Sequence, residues 1–262
     1  MFGGNFHTHN ILPFVSSPGL DVMCHSNGSN YVKAMRYAYR QAQAGRVVMS
    51  VDCTDLLNMR HLREEDKDGY FLHEYPSLNG ESNHGEEEMS FDEVDVHRLD
   101  EGTGKWYAVR GDQAVAEQEP EAVDVVIVTY GNGIPTALRA AQTIMSRASE
   151  DKSKSKSKSK SKGEKNATRV AVVDSPYLSA APAQLVSFLQ APLAAKAKVV
   201  FADICKQRLG PLSAISVQLH NDKVLKGKKW ALVGAADTYN PLGNLVTFLS
   251  EADITEAVGR AS

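Results

Sequence analysis

The sequence predicts an α/β protein built mainly on parallel strands, and three stretches carry that expectation. Val123 to Pro135 (Val-Asp-Val-Val-Ile-Val-Thr-Tyr-Gly-Asn-Gly-Ile-Pro) is an apolar run that ends in a glycine turn and opens a helix. Apolar residues without alternation read as a strand covered on both faces, which is the pattern of a parallel sheet. Beyond this run, strand and helix patterns alternate through the rest of the chain. Ahead of it, Asp21 to Val51 follows the same grammar as one β-α-β unit.

The elements follow in order. Asp21–Cys24 is a short strand after a Pro18-Gly19 turn, and Ser26, Asn27 and Ser29 are turn and N-cap types. Asn30–Ala44 has helical periodicity, with Val32, Met35, Tyr39 and Ala42 on one face and Gly45 as the stop. Arg46–Val51 is the second strand. From Leu62 to Pro120 acidic and turn residues dominate, with short strand candidates at Val94–His97 and Trp106–Val109. A loop of that length is unusual inside a compact domain, so a connection between domains is expected there. Strands then follow at Val123–Thr129, Arg169–Asp174, Lys198–Asp203 and Trp230–Val233, and helices at Thr136–Ala148, Pro182–Gln190, Pro211–Asn221 and Glu251–Val258. Proline near the start of the first of these helices suits its fixed φ. The expected division is 1–61, a connection over 62–120, and 121–262, with an insert over 152–165 that begins as a strict Lys-Ser alternation. That insert offers nothing apolar to bury and is expected to be disordered.

The 262 residues are 42 % hydrophobic, enough for one large core or two smaller ones. A net charge of −3, from 29 basic and 32 acidic residues, gives no argument by charge alone for nucleic acid or a membrane surface, and neither is expected as a partner. No apolar run approaches the ~20 residues of a membrane span. Cys24, Cys53 and Cys205 are odd in number and far apart, which favours reduced thiols over a disulfide framework. Met1 to His7 is neither a signal nor a transit peptide and reads like the middle of a protein. The mitochondrial matrix and the cytoplasm both fit.

The best site candidate is Gly3-Gly4-Asn5-Phe6-His7-Thr8-His9-Asn10. Glycines let a backbone approach a ligand, and histidines at i and i+2 point to one side of an extended chain. Imidazole transfers protons near neutral pH, and the His-x-His spacing also suits a metal hydrolase. The metal reading lacks further ligands, because His25, His61, His73, His84 and His97 lie mostly in polar or loop-like stretches. Gly131-Asn132-Gly133 begins like a dinucleotide fingerprint, but the third glycine is missing and Pro135 occupies the helix start. A tight structural turn is the favoured reading, with Asp174 the nearest acidic candidate. Lys206 and Arg208, between a strand and a helix, read as exposed cations more readily than as an anion site.

Taken in order, these pieces resemble the β-type part of thiamine-diphosphate-dependent 2-oxoacid dehydrogenases, the decarboxylating components of the pyruvate and branched-chain complexes in the transketolase superfamily. Gly3 to Asn10 resembles the family's glycine-rich, histidine-bearing active-site segment. Pro18-Gly19-Leu20-Asp21-Val22 resembles its Pro-Gly-Leu-x-Val strand start, and Val123 to Gly133 the start of the transketolase C-terminal domain. Val199 to Gly210, Ala236 to Gly243 and Leu249 to Ile254 resemble later segments. Asp203-Ile204-Cys205 stands where the family has a different acidic strand end, and His9 where Gln or Asp is more frequent.

The resemblance implies an incomplete transketolase-like pyrimidine-binding domain followed by a transketolase C-terminal-like α/β domain with a mostly parallel sheet. It implies His7 as the residue assisting proton transfer or holding the acyl intermediate, with His9 and Asn10 as pocket groups. Thiamine diphosphate and Mg²⁺ are the implied cofactors, held mainly by regions outside this chain. The implied partners are an α-type subunit or N-terminal domain, a lipoyl acyltransferase core and a second copy in a dimer. The resemblance starts partway into the family's first domain, so the chain is expected to be a fragment, a fused-chain remnant or a degenerate paralogue, inactive alone. The rival expectations are a non-catalytic dimerisation or docking module and a transketolase-type enzyme fragment.

Overall fold

In a computed structural model of the chain, residues 18–65, 67–77, 88–100, 102–116, 123–155, 168–236 and 248–261 are described. They form a mixed α/β structure with two sheets. Strands β1 (Leu20–Met23) and β2 (Val47–Ser50) pair in parallel around helix α1 (Gly28–Gln43). The second sheet has six strands in the order β4-β3-β6-β5-β7-β8. Its strands are β3 (Asp95–Leu99), β4 (Trp106–Arg110), β5 (Val125–Thr129), β6 (Val170–Asp174), β7 (Lys198–Lys206) and β8 (Trp230–Ala235). β6, β5, β7 and β8 are parallel, whereas β3 runs antiparallel to both β4 and β6.

The stretch expected as an acidic connection, 62–120, therefore donates two strands to the main sheet. β3 carries Val96 with the buried Asp95, His97 and Arg98, and the acidic flanks conceal its place in the sheet. A short helix not foreseen from sequence, α2 (Gly111–Ala116), follows β4 and buries Ala114.

β5 is buried along its whole length because its two faces belong to different cores. Val126 and Val128 face one core with Leu185, Phe188 and Leu189 of α4 (Ala183–Ala194) and Leu212, Ile215 and Leu219 of α5 (Pro211–Asn221). Val125 and Ile127 face the other with Ile134, Ala137, Leu138 and Ala141 of α3 (Gly133–Ser155) and Ile254 and Ala257 of α6 (Glu251–Arg260). Full burial of such a side chain stabilises by about 1.5–3 kcal/mol. The Arg139 guanidinium, 2.6 Å from Glu251, adds an ion pair between α3 and α6.

Three expectations are corrected in detail. α1 buries Asn30, Ala34 and Ala38 and leaves Met35 and Tyr39 exposed, so the inner face is the small one; small residues let the helix sit close to its neighbours. α3 begins at Gly133, which puts Pro135 at the third helical position; the first N–H groups of a helix have no partner there, so proline is tolerated. α3 also continues through Ser155, so 152–155 are helical rather than disordered, because each residue added to a formed helix gains a bond. The rest of the insert lies outside the described residues.

The small sheet is anchored on the large one. Cys24 N–H donates to Pro176 O (2.8 Å) and Leu178 N–H to Val22 O (2.8 Å), while Val22 N–H donates to Ser179 Oγ (2.9 Å). Val22 and Cys24 share a core with Val94, Val128 and Val173. Asp21 accepts from Arg46 Nε and Nη2, each at 2.7 Å, and from Tyr177 Oη at 2.6 Å. Burial pushes the Asp21 carboxyl up, but these bonds outweigh it and hold the group below its ordinary pKa. Among the described residues, no helix is long and apolar enough to cross a membrane.

Candidate functional site

In open parallel sheets ligands gather at the carboxyl ends of strands, where successive connections leave toward opposite faces. In the large sheet that position lies between β5 and β7, and side chains fill it. Gly131, at φ +52°, turns the chain out of β5, and Gly133 N–H donates to Tyr130 O (3.0 Å). A Cβ on Gly133 would lie 2.1 Å from Thr129 Oγ1, and one on Gly131 would lie 2.8 Å from both the Cys24 and the Cys53 sulfur. The turn at Gly131–Gly133 is thus a packing device with no room for a pyrophosphate.

Asp203, where β7 shifts register three residues before its end, is spent internally. Its Oδ1 accepts from Tyr130 Oη (2.8 Å) and Cys205 N–H (2.9 Å), and its Oδ2 from Leu212 N–H (2.8 Å) at the start of α5. Burial raises its pKa against these bonds, and burial likewise pushes the Cys205 thiol up. This network fastens α5 to the sheet.

An open cavity lies beside it, at the carboxyl ends of β1 and β2. It measures about 450 Å³, the size of a small-molecule site. His25, Ser26 and Tyr31 reach it from β1 and α1, Asp52 and Cys53 from β2, and Arg60, Phe71, His73 and Tyr75 from the chain that folds over it. Asn27 caps α1 by accepting from Asn30 N–H (2.9 Å), which fixes the turn that carries His25 and Ser26. Gly28 lets the exposed Tyr75 ring lie against the start of α1: a Cβ would meet Tyr75 Oη at 2.7 Å, and the ring would have to swing away.

Beneath the cavity is a buried polar layer. Ser26 Oγ donates to Asp174 Oδ2, and Asn30 Nδ2 to Asp95 Oδ2. Arg110 Nη1 stands 3.3 Å from Asp95 Oδ1. Tyr70 Oη is hydrogen-bonded to His97 Nδ1. Burial drives the Asp174 carboxyl up to about 8; the Ser26 bond opposes this and the Asp95 charge adds to it. Burial lowers His25 to about 4 against the pull of Asp95, and it lowers His97 to about 4 as well. At neutral pH Asp174 is a neutral acid and both imidazoles are neutral. Asp174 Oδ1, His97 Nε2 and both ring nitrogens of His25 have no hydrogen-bond partner. Such orphaned atoms are costly, and of these three residues only His25 lines the cavity, where a ligand could satisfy its ring nitrogens. His25 stacks edge-on to Tyr31, at 6.3 Å between ring centroids, so the imidazole is positioned.

One thiol, Cys53, lines the cavity, and a second, Cys24, is buried behind it. Cys24 Sγ and Cys53 Sγ are 3.5 Å apart, and Cys53 faces Asn132 Oδ1 at 3.8 Å. The bond from Cys24 holds the Cys53 thiol below its ordinary pKa against burial, while the same contact and burial push Cys24 well up.

His7, His9 and Asn10 lie outside the described residues, so no geometry attaches to them. Asp174 does end its strand, but it faces Ser26 and not a sugar-binding crevice. Sequence reasoning left His25 and the Cys24–Cys53 pair out of the site. A usable signal existed: each segment follows a strand of one parallel unit, and parallel register brings such ends together. No protein-family model matches this chain, and no curated protein matches it.

Proposed function

We propose that this chain is the β-type part of a thiamine-diphosphate-dependent 2-oxoacid dehydrogenase. One observation carries the reading: a parallel β-α-β unit with a ligand-sized cavity at its carboxyl ends is followed by a mostly parallel sheet sharing its core. That is the order in which the motif resemblance sets the two parts.

The described residues do not fit the cofactor itself. Among them no group of three or more His, Cys, Asp or Glu side chains could hold a metal ion. The Gly131–Gly133 turn is filled by Thr129 and the two thiols. By resemblance, thiamine diphosphate and Mg²⁺ are held mainly by an α-type subunit or a further N-terminal domain. By resemblance this chain contributes His7 to proton transfer at the substrate, with His9 and Asn10 as neighbouring polar groups. Exposed Met35 and Tyr39 on α1 and Val47 on β2 offer apolar surface for the partner subunit or a second copy. The lipoyl acyltransferase core would receive the acyl group.

The test is reconstitution with the α-type thiamine-binding subunit of the same organism. The pure chain releases no CO₂ from pyruvate or branched-chain 2-oxoacids, whereas the mixture does so with thiamine diphosphate and Mg²⁺. In the mixture, His7→Ala lowers lipoyl acylation by about 100-fold, the scale of a lost proton-transfer group. Turnover by the pure chain, or silence in the mixture, overturns the proposal. Full activity of His7→Ala would instead favour the non-catalytic docking module.

A further inference from the structure

Cys24 and Cys53 are 29 positions apart, yet their sulfurs touch at 3.5 Å. Parallel pairing brings them together: Met23 is in register with Ser50, and Val51 N–H donates to Met23 O (2.8 Å), so both chains leave the sheet side by side. Cys24 is fully buried, whereas Cys53 is half-buried and lines the cavity. Gly131 presses on the pair from the large sheet, and any side chain there would collide with both sulfurs. One accessible sulfur backed by one protected sulfur is the arrangement of an attacking and a resolving thiol. A disulfide needs an S–S distance of about 2.05 Å, an approach of roughly 1.5 Å from the present contact.

We propose that Cys24 and Cys53 form a reversible dithiol–disulfide site that hydroperoxides oxidise through the cavity. The Cys53 thiolate attacks one peroxide oxygen and the O–O bond breaks. Cys53 becomes a sulfenic acid, and the departing oxygen takes up a proton and leaves as water or an alcohol. The Cys24 sulfur then attacks the Cys53 sulfur. The S–O bond breaks, and hydroxide leaves as water with the Cys24 proton. Two thiols lose two electrons in all and the peroxide gains them. A small dithiol reverses the change by exchange, giving up its own two electrons. The lowered pKa of Cys53 favours the first step. Cys205 is a spectator, held 3.4 Å from Tyr130 Oη within the Asp203 network. Closing the bond ties β1 to β2 beside His25 and Asp52, so the oxidation state shapes the cavity wall.

The experiment treats the full chain with equimolar hydrogen peroxide, alkylates it with iodoacetamide and maps tryptic peptides without reduction. Alkylatable thiols fall from three to one. The peptide ending at Lys33 appears linked to the one spanning Val47–Arg60, and dithiothreitol releases both. Cys205→Ser gives the same cross-link, and Cys24→Ser traps Cys53 as a dimedone adduct. A cross-link through Cys205, an over-oxidised Cys53 beside an alkylatable Cys24, or three thiols surviving peroxide would each overturn the proposal.

Discussion

The Ser26 hydroxyl donates to Asp174 Oδ2, joining the end of β1 to the end of β6 across 148 positions of sequence. The carboxyl that accepts this bond holds its proton to about pH 8, because burial penalises its charge. A carboxyl whose pKa is raised on folding favours the folded state at low pH, and that contribution fades as pH climbs toward the raised value.

The contribution of Asp174 therefore declines from the ordinary 3.8 up to about pH 8, by up to about 1.4 kcal/mol per pH unit, and it is cleanest to read between pH 6.5 and 8, where the buried imidazoles do not oppose it. Asp174→Asn keeps the shape and removes the proton. Urea midpoints measured across that window show a shallower slope for the variant. Parallel slopes for the two proteins would refute the assignment.

His25 and His97 act in the opposite sense. Their folded values of about 4 lie below the ordinary 6.5, so the unfolded chain takes up protons first. Stability they leave intact above pH 6.5 is lost as pH drops toward 4, by about 1.4 kcal/mol per unit for each. His25→Phe removes one such proton, seen as a smaller pH dependence of unfolding below pH 6. An unchanged acid limb would place His25 in a wetter environment.

Two glycines should respond with opposite signs. A Cβ on Gly210 would lie 2.1 Å from Asp203 Oδ2, in a carboxyl already fixed by three bonds. Gly210→Ala is expected to cost about 2–4 kcal/mol through overpacking and loss of the Leu212 bond. Gly259, inside α6, has open space around its Cβ position, and Gly259→Ala should gain up to about 1 kcal/mol. Thermal melts of the two variants decide it.

α6 opens with a reciprocal cap. Asp253 N–H donates to Ser250 Oγ (3.2 Å), and Ser250 N–H donates to Asp253 Oδ2 (2.9 Å). Ser250→Ala should cost about 0.5–2 kcal/mol, whereas Ser250→Asp should retain most of the stability. Equal melting temperatures for wild type and Ser250→Ala would show that packing on α3 alone holds the helix.

What could be read in advance follows from how local each signal is. β5 and α5 declare themselves, because a run such as Val125–Thr129 and a helix opened by Pro211 are local statements. β3 and β4 are legible as short strands, but their membership of the sheet is not, since that depends on pairing Asp95 with Asp174. The inner face of α1 is not legible from bulk, because close packing selects Ala34 and Ala38 over the larger Met35 and Tyr39. His25 and the two thiols matter only through neighbours that strand register supplies.

The ties that hold β1 have a temporal consequence. Its partners Pro176, Leu178 and Ser179 emerge from the ribosome more than 150 residues after it, as the 157-position span from Val22 to Ser179 shows. The first β-α-β unit must wait, partly formed, until β6 and the loop beyond it have been made. A pairing that spans so much chain is slow to close, and nascent chains halted before Ser179 should be readily cut by protease between 20 and 60.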